Sequence, residues 1–254
     1  MKASSCTRVK VVLPAYNEAA NIPPLMEELL FLRSEGLDLS VLLADDGSTD
    51  GTSAAALDFE GRLPLTISRS EKNLGLGETF ARGMLAAVEE DCSDVIVCMD
   101  ADDSHRPSQI PLLLEAIEAS ADVAIASRYR AGARIRGVPL HRKVLARGLS
   151  MMFQLFHPVE GVRDYSTSFR AYRRELLERV LAEDGEAIFD RDGFGCMVAL
   201  LVRLDAHGAV FAEVPVELGY DRKRGASKMS LVPTVAHNLR VLIGAQRKKG
   251  KRRR

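Results

Sequence analysis

Tryptophan is missing from the 254 residues, and aromatic side chains make up only 6% of them. A chain this poor in flat rings is badly equipped to stack the bases of single-stranded nucleic acid, and no nucleic-acid partner is expected. Cysteine is scarce too. Cys6, Cys92, Cys98 and Cys196 show neither CxxC spacing nor the density of a disulfide-stapled secreted fold, which suits a reducing compartment. The histidines (His105, His141, His157, His207 and His237) are scattered, so zinc-ligand spacing is lacking. No uninterrupted apolar run approaches the roughly 20 residues of a membrane-spanning helix. The opening MKASSCTRVKVVLP enters a strand pattern without a signal peptide's apolar stretch, so a cytoplasmic location is expected.

Net charge is also lacking, with 35 Lys and Arg against 35 Asp and Glu, but the balance hides a split. The last eight residues, RKKGKRRR (247–254), hold seven basic groups and no acid, which leaves 28 basic against 35 acidic residues in 1–246. Such a block is either a solvated tail or an electrostatic hold on an anionic membrane surface, worth up to about 1 kcal/mol per basic residue near the lipid.

What is present is an alternation. RVKVVLP (8–14), LSVLLADD (39–46), PLTISR (64–69), DVIVCMD (94–100) and DVAIASR (122–128) read as strands buried on both faces, separated by segments of helical spacing. A helix over 194–207 and a last strand over 210–220 follow. This predicts an α/β fold with a Rossmann-like, mainly parallel sheet flanked by helices, in a single domain. Ligands of such sheets gather beyond the carboxyl ends of the strands. Four of those ends carry polar clusters: PAYNE, ADDGSTDGT, MDADDSHRP and SRYR.

The usual α/β signatures are not among them. PAYNEA stands where a dinucleotide fold has GxGxxG, and GLGETF (75–80) lacks the third glycine. Neither GxxxxGK[ST] nor GxSxG occurs. What does occur is VCMDADDSHRP (97–107), three aspartates in four positions directly behind an apolar run. Two hard oxygen donors, Asp100 and Asp102, suit Mg²⁺ or Mn²⁺ bridging to a diphosphate, provided the chain turns at once. An acidic turn capping a helix at Pro107 fits the same short motif. RKRGASK (222–228) reads either as an anion clamp around a glycine or as a solvated basic loop. PLHRKVLARGLSMMFQLFHPV (139–159) reads either as a membrane-interface helix or as a core helix with a basic end.

Taken in order, VVLPAYNEAANI, ADDGSTDGT, NLGLGETFARGM and MDADDSHRP resemble glycosyltransferase family 2, in particular its polyprenyl-phosphate branch. SRY (127–129), RKVLARG (142–148), DYSTSFRAYRRELL (164–177) and EVPVELGYDRKRGASKMS (213–230) extend the resemblance to residues 8–230. It implies a GT-A catalytic domain over 1–230, with 231–246 as an interfacial amphipathic helix and 247–254 as the polybasic tail. Pro14, Ala15, Tyr16 and Glu18 would line the nucleotide pocket, and Asp46 with Asp45 would bind the base. Asp100 and Asp102 would hold Mg²⁺ or Mn²⁺ on the donor diphosphate, with Ala101 lining the same site. Arg222, Ser227 and Lys228 would close over the donor phosphates, while Arg128 would hold the acceptor phosphate.

The implied reaction is inverting transfer of a sugar from a nucleoside-diphosphate sugar, GDP-mannose or a UDP-sugar. Its acceptor would be a polyprenyl (dolichyl or undecaprenyl) phosphate, and the enzyme would sit peripherally on the cytoplasmic face of a membrane. The competing readings are transfer to a soluble or polysaccharide acceptor, and a nucleotide-sugar-binding protein with weakened catalysis. The second is motivated by two departures: Ser104 where relatives often have Gln, and Ala199 where they usually have Glu. The sequence also ends on basic residues where many relatives continue into transmembrane helices. A phosphate monoester is mostly dianionic at pH 7, its second pKa lying near 6, so such an acceptor needs no carboxylate base in place of Ala199. For any other acceptor, Asp103, Asp190 and Asp192 are the candidate bases.

Overall fold

The computed structural model describes residues 7–90, 93–191 and 193–224. Ser227, Lys228, the expected helix over 231–246 and the basic tail lie outside the described residues. Nine strands are assigned in this part: β1 (Val9–Ala15), β2 (Leu39–Asp45), β3 (Leu65–Arg69), β4 (Val95–Cys98), β5 (Val123–Ser127), β6 (Arg134–Arg136), β7 (Arg170–Arg173), β8 (Phe211–Pro215) and β9 (Glu217–Gly219). The helices are α1 (Ile22–Ser34), α2 (Thr52–Leu57), α3 (Leu76–Glu89), α4 (Ile110–Glu118), α5 (Leu140–Phe156), α6 (Arg174–Asp184) and α7 (Cys196–Ala206), with short 3₁₀ turns between some of them.

Seven strands form one sheet in the order β3-β2-β1-β4-β7-β5-β8. All pairings are parallel except those of β7, which runs antiparallel to both β4 and β5. The continuous apolar runs follow from burial on both faces. Along β1, Val9, Val11, Leu13 and Ala15 meet the layer of α1, α2 and α4, while Val12 meets the layer of α3, α6 and α7. β4 divides in the same way, with Val95 and Val97 on one side and Ile96 and Cys98 on the other. The period of two is thus hidden under two hydrophobic faces. Gly83 lets α3 press onto the sheet, since a Cβ there would stand 2.8 Å from Val12 Cγ1.

Two features depart from the sequence reading. The expected strand over 210–220 is two strands: β8 continues the large sheet, and β9 pairs with β6 in a small parallel ribbon. β7 was not expected as a strand, because two of its four residues are arginines. Arg170 is fully buried, and its two terminal nitrogens donate to the carbonyls of Met197 (2.9 Å) and Tyr165 (2.7 Å), which makes the buried charge tolerable although Nε has no hydrogen-bond partner.

Candidate active site

β1 lies between β2 and β4, so the chain winds one way from β1 to β3 and the other way from β4. At such a reversal the loops leaving adjacent strands diverge and open a crevice. A cavity of about 540 Å³ fills it. Strand order arranges its walls: Asp46 follows β2, Pro14, Ala15, Tyr16 and Glu18 end and follow β1, Asp100, Ala101 and Asp102 follow β4, and Arg128 follows β5. The antiparallel β7 brings its entering residues, Ser166, Thr167 and Ser168, to the same edge. α5 covers the Arg128 end with Arg142, Lys143 and Leu149.

The turn that the aspartates require is made at Asp103, whose φ of +61° lies in the left-handed region that Asp tolerates better than most residues. Ser104 donates to Asp102 Oδ1 through both its N–H (3.0 Å) and its hydroxyl (2.5 Å). Lys223 Nζ donates to Asp102 Oδ2 at 2.5 Å. Burial alone would raise the Asp102 carboxyl, but Lys223 and Ser104 outweigh it and hold the group below the ordinary carboxylate range. Asp100 moves the other way. Burial raises it and the Asp102 charge adds to the effect, against His105, a Ser168 hydrogen bond and Lys223. His105 Nδ1 stands 3.8 Å from Asp100 Oδ2, its ring packed against Phe169.

The donor set suits Mg²⁺ or Mn²⁺. Asp100 and Asp102 supply hard oxygens, and a divalent cation between them would favour the charged form of Asp100 that burial and the Asp102 charge disfavour. No group of three or more His, Cys, Asp or Glu forms a metal cage among the described residues. A metal at this place would therefore need water and substrate oxygens to complete its shell, as Mg²⁺ commonly does.

The structure separates Asp45 from Asp46. Asp46 lines the cavity and accepts the N–H groups of Leu74 (2.7 Å) and Gly75 (2.9 Å). Asp45 is fully buried behind it, accepting the Ser48 N–H (2.8 Å) and the Ser53 hydroxyl. Gly47, at φ +70°, allows this turn to lie on the next loop: a Cβ there would be 2.6 Å from the backbone carbon of Lys72.

Arg222 does not line the cavity. Its Nη2 donates to Asp103 (2.6 Å) and to Glu28 on α1 (2.7 Å), fastening the turn after β9 to the back of the acidic loop. The next residue, Lys223, reaches the site instead. At the opposite end Arg128 forms a bidentate pair with Asp164, 2.8 Å from Nε and 2.6 Å from Nη2, and also donates to Ser166 (2.7 Å). Arg147 lies over the Tyr129 ring at 4.6 Å. Lys223, His105, Asp164 and Ser166–Ser168 escaped the sequence reading. The run of three cations at 222–224 signals a clamp, but not which side chain faces inward.

Ser104 points its hydroxyl at Asp102, so it orients that carboxylate. Ala199 lies on α7 and is not among the cavity residues, to which α7 contributes Met197. Asp190 does not line the cavity either, and Asp103 is held by Arg222. Asp192 lies outside the described residues.

Compared with known sequences, residues 10–181 match the profile of Glycosyl transferase family 2. The chain belongs to this family. It is a glycosyltransferase. Over 225 residues it is 34% identical to the polyprenol monophosphomannose synthase of Mycolicibacterium smegmatis, covering 88% of this chain and 81% of that protein. The undecaprenyl-phosphate mannosyltransferase of Micrococcus luteus is 33% identical, with 88% of each chain covered. The dolichol-phosphate mannosyltransferase of Pyrococcus furiosus is 32% identical, and the match spans 87% of this chain and 59% of that longer protein. Among solved structures, glucosyl-3-phosphoglycerate synthase from Mycobacterium tuberculosis, in complex with Mn²⁺, UDP and phosphoglyceric acid, superposes with a TM-score of 0.65 at 22% identity. It covers 94% of this chain and 78% of that one. The fold is GT-A.

Proposed function

We propose that this glycosyltransferase transfers a sugar, with inversion, from a nucleoside-diphosphate sugar to a polyprenyl phosphate, using Mg²⁺ or Mn²⁺, and that residues up to 230 form its catalytic unit. The observation that carries the reading is the two-ended crevice under an exposed apolar helix. Acidic groups (Glu18, Asp46, Asp100, Asp102) line one end, and Arg128, Arg142 and Lys143 line the other. Above the basic end, Leu140, Val144, Met151 and Leu155 of α5 are 75%, 63%, 57% and 74% exposed. Their spacing of 0, 4, 11 and 15 residues makes one stripe along the helix. Exposed Lys143 and Arg147 flank it, so the outer face has the composition of a helix lying in an anionic membrane interface. A lipid phosphate approaching from that surface meets cations first. The relatives named for polyprenol, undecaprenyl-phosphate and dolichol-phosphate mannose transfer support the same acceptor class and favour a mannosyl donor.

In this reading Asp100 and Asp102 hold the metal, whose charge stabilises the departing nucleoside diphosphate. Ser104 fixes the rotamer of Asp102. Asp46 orders the 73–75 segment that borders the base end of the cavity. Arg128, held in place by Asp164, and Arg142 with Lys143 orient the acceptor phosphate, whose oxygen attacks the anomeric carbon. The carboxylates that line the cavity are Glu18, Asp46, Asp100 and Asp102, and in this reading they serve the donor and its metal, not an acceptor hydroxyl. An acceptor that arrives as a dianion needs no carboxylate base.

The test is transfer of radiolabelled sugar from a panel of GDP- and UDP-sugars into the organic phase, with Mg²⁺, Mn²⁺ or chelator, with and without added polyprenyl phosphate. Label should enter lipid only when lipid phosphate and metal are both present. Asp102→Ala should lower the rate at least about 100-fold. Transfer to a water-soluble acceptor with no lipid requirement would replace the polyprenyl reading, and donor binding without turnover would support a binding protein.

A further inference from the structure

The Lys223 ammonium lies 2.5 Å from Asp102 Oδ2, and the two side chains are each only 12% exposed. The other oxygen, Oδ1, already accepts two hydrogen bonds from Ser104. An ionised carboxylate has about four acceptor positions, and three are filled here by groups of this chain. A divalent cation approaching Oδ2 while the ammonium stays there is opposed, because two positive charges in contact with one oxygen of a carboxylate only 12% exposed repel strongly. We propose that Lys223 is the resident counter-ion of Asp102 in the metal-free protein. The metal and Lys223 compete for this carboxylate, and the donor's diphosphate relieves the competition by taking up the displaced ammonium. The proposal rests on the metal reading above.

The surroundings suit such an exchange. The backbone on either side of Lys223 is held independently of it. Arg222 is tied to Asp103 and Glu28. The main chain of Arg224 exchanges two hydrogen bonds with the Asn21 side chain, N–H to Oδ1 at 2.9 Å and Nδ2 to the carbonyl at 3.0 Å. Releasing Asp102 therefore requires only the four-carbon stem of Lys223 to rotate, with the turn staying where it is. A displaced ammonium remains tethered over the crevice, beside the place where a metal-bound diphosphate would carry its charge. Lysine is suited to this role because it is a point charge on a flexible stem, without the bidentate grip of arginine.

The consequence is thermodynamic coupling. Metal alone must displace Lys223 from its contact with Asp102, leaving it only the longer-range attraction of Glu18 and Asp100. Metal arriving with a nucleoside diphosphate gives the ammonium a new partner, and by linkage each ligand then strengthens the other. The measurement is Mn²⁺ binding to the full chain, read from the electron paramagnetic resonance signal of free Mn²⁺, with and without GDP or UDP. In the absence of nucleotide, Lys223→Met should bind Mn²⁺ at least about fivefold more tightly than the wild type. The gain in Mn²⁺ affinity on adding nucleotide should shrink by a similar factor. Lys223→Arg, which keeps the charge, should stay as weak as the wild type. Asp102→Asn should abolish the tight site in both backgrounds, tying the signal to this carboxylate. Lys223→Gln provides the same comparison if the methionine variant does not fold. Mn²⁺ binding that is unchanged or weaker without Lys223 overturns the competition while leaving the metal site intact. If neither protein binds Mn²⁺ even with nucleotide, the metal reading falls and this proposal with it.

Discussion

Asp164 decides how the acceptor end of the crevice holds its charge. It is fully buried, and its two oxygens grip Nε and Nη2 of Arg128 while also accepting the Arg128 N–H at 3.0 Å. Burial alone would raise its carboxyl, but the Arg128 charge and hydrogen bonds prevail and hold it below its ordinary value near 3.9. A carboxylate whose pKa is depressed by folding adds stability that is fully present above its unfolded value. That contribution is lost as the pH falls through the folded one. Asp164→Asn should therefore cost about 3 kcal/mol at pH 7, since it leaves a poorly hydrated guanidinium without its partner. The gap to wild type should close only as the pH falls below the ordinary carboxylate value near 3.9 and through the lower folded-state value, where Asp164 itself becomes neutral. Urea melts of both proteins across that window measure it directly. A gap that stays constant with pH would show that the ion pair contributes through shape alone.

At the scale of the element, α5 carries two jobs on two faces. Phe153 and the flanking Leu149 and Met152 pack into the core, while Leu140, Val144, Met151 and Leu155 point away from it. Replacing Leu140, Val144 and Leu155 together by Ser removes contacts that folding does not use, so stability should change by no more than about 0.5 kcal/mol per site. Sedimentation with vesicles containing anionic lipid should fall at least tenfold, and transfer to lipid phosphate should fall with it. Unchanged vesicle binding would move the membrane contact elsewhere on the chain.

This helix also shows how far sequence pattern reaches. The strands β1, β2, β4 and β5 were legible because apolar layers cover both their faces and leave short runs dominated by Val, Ile, Leu and Ala. The acidic site was legible because Asp100 and Asp102 follow such a run directly. β7 was not, since its arginines are made tolerable by carbonyls of Tyr165 and Met197 that no local pattern reveals. The exchange of roles between Arg222 and Lys223 was illegible for a related reason. Which neighbour faces the metal site depends on a turn anchored by Glu28, nearly two hundred residues away in sequence. For α5 the spacing offered an interfacial helix and a core helix; the fold packs Phe153 into the core and leaves Leu140, Val144, Met151 and Leu155 exposed on the other side.

At the scale of the molecule, strand order spreads the charges along the crevice, from Asp46 after β2 through Asp100 and Asp102 after β4 to Arg128 after β5, and if donor and acceptor occupy the two ends as proposed, binding at one should be measurable without the other. A ligand that binds only the folded chain stabilises it by about 2.7 kcal/mol at a concentration 100 times its Kd. For a chain of this size that corresponds to a rise in Tm of roughly 5–10 °C. Nucleoside diphosphate with Mn²⁺ should produce a shift of this order in wild type. Asp100→Asn and Asp102→Asn should each remove the part of the shift that chelator also removes, because in the proposed site these carboxylates would hold the metal. Arg142→Ala, on the α5 side of the cavity, should leave the donor shift whole while raising the KM for lipid phosphate, since it faces the end that the nucleotide does not reach. The division has a physical basis in the walls themselves: acidic groups repel a bare phosphate from the donor end unless a metal accompanies it, whereas the basic end attracts one directly. A donor shift that survives in Asp102→Asn, or disappears in Arg142→Ala, would mean that one cluster of charge serves both substrates and that the two-ended crevice is the wrong picture.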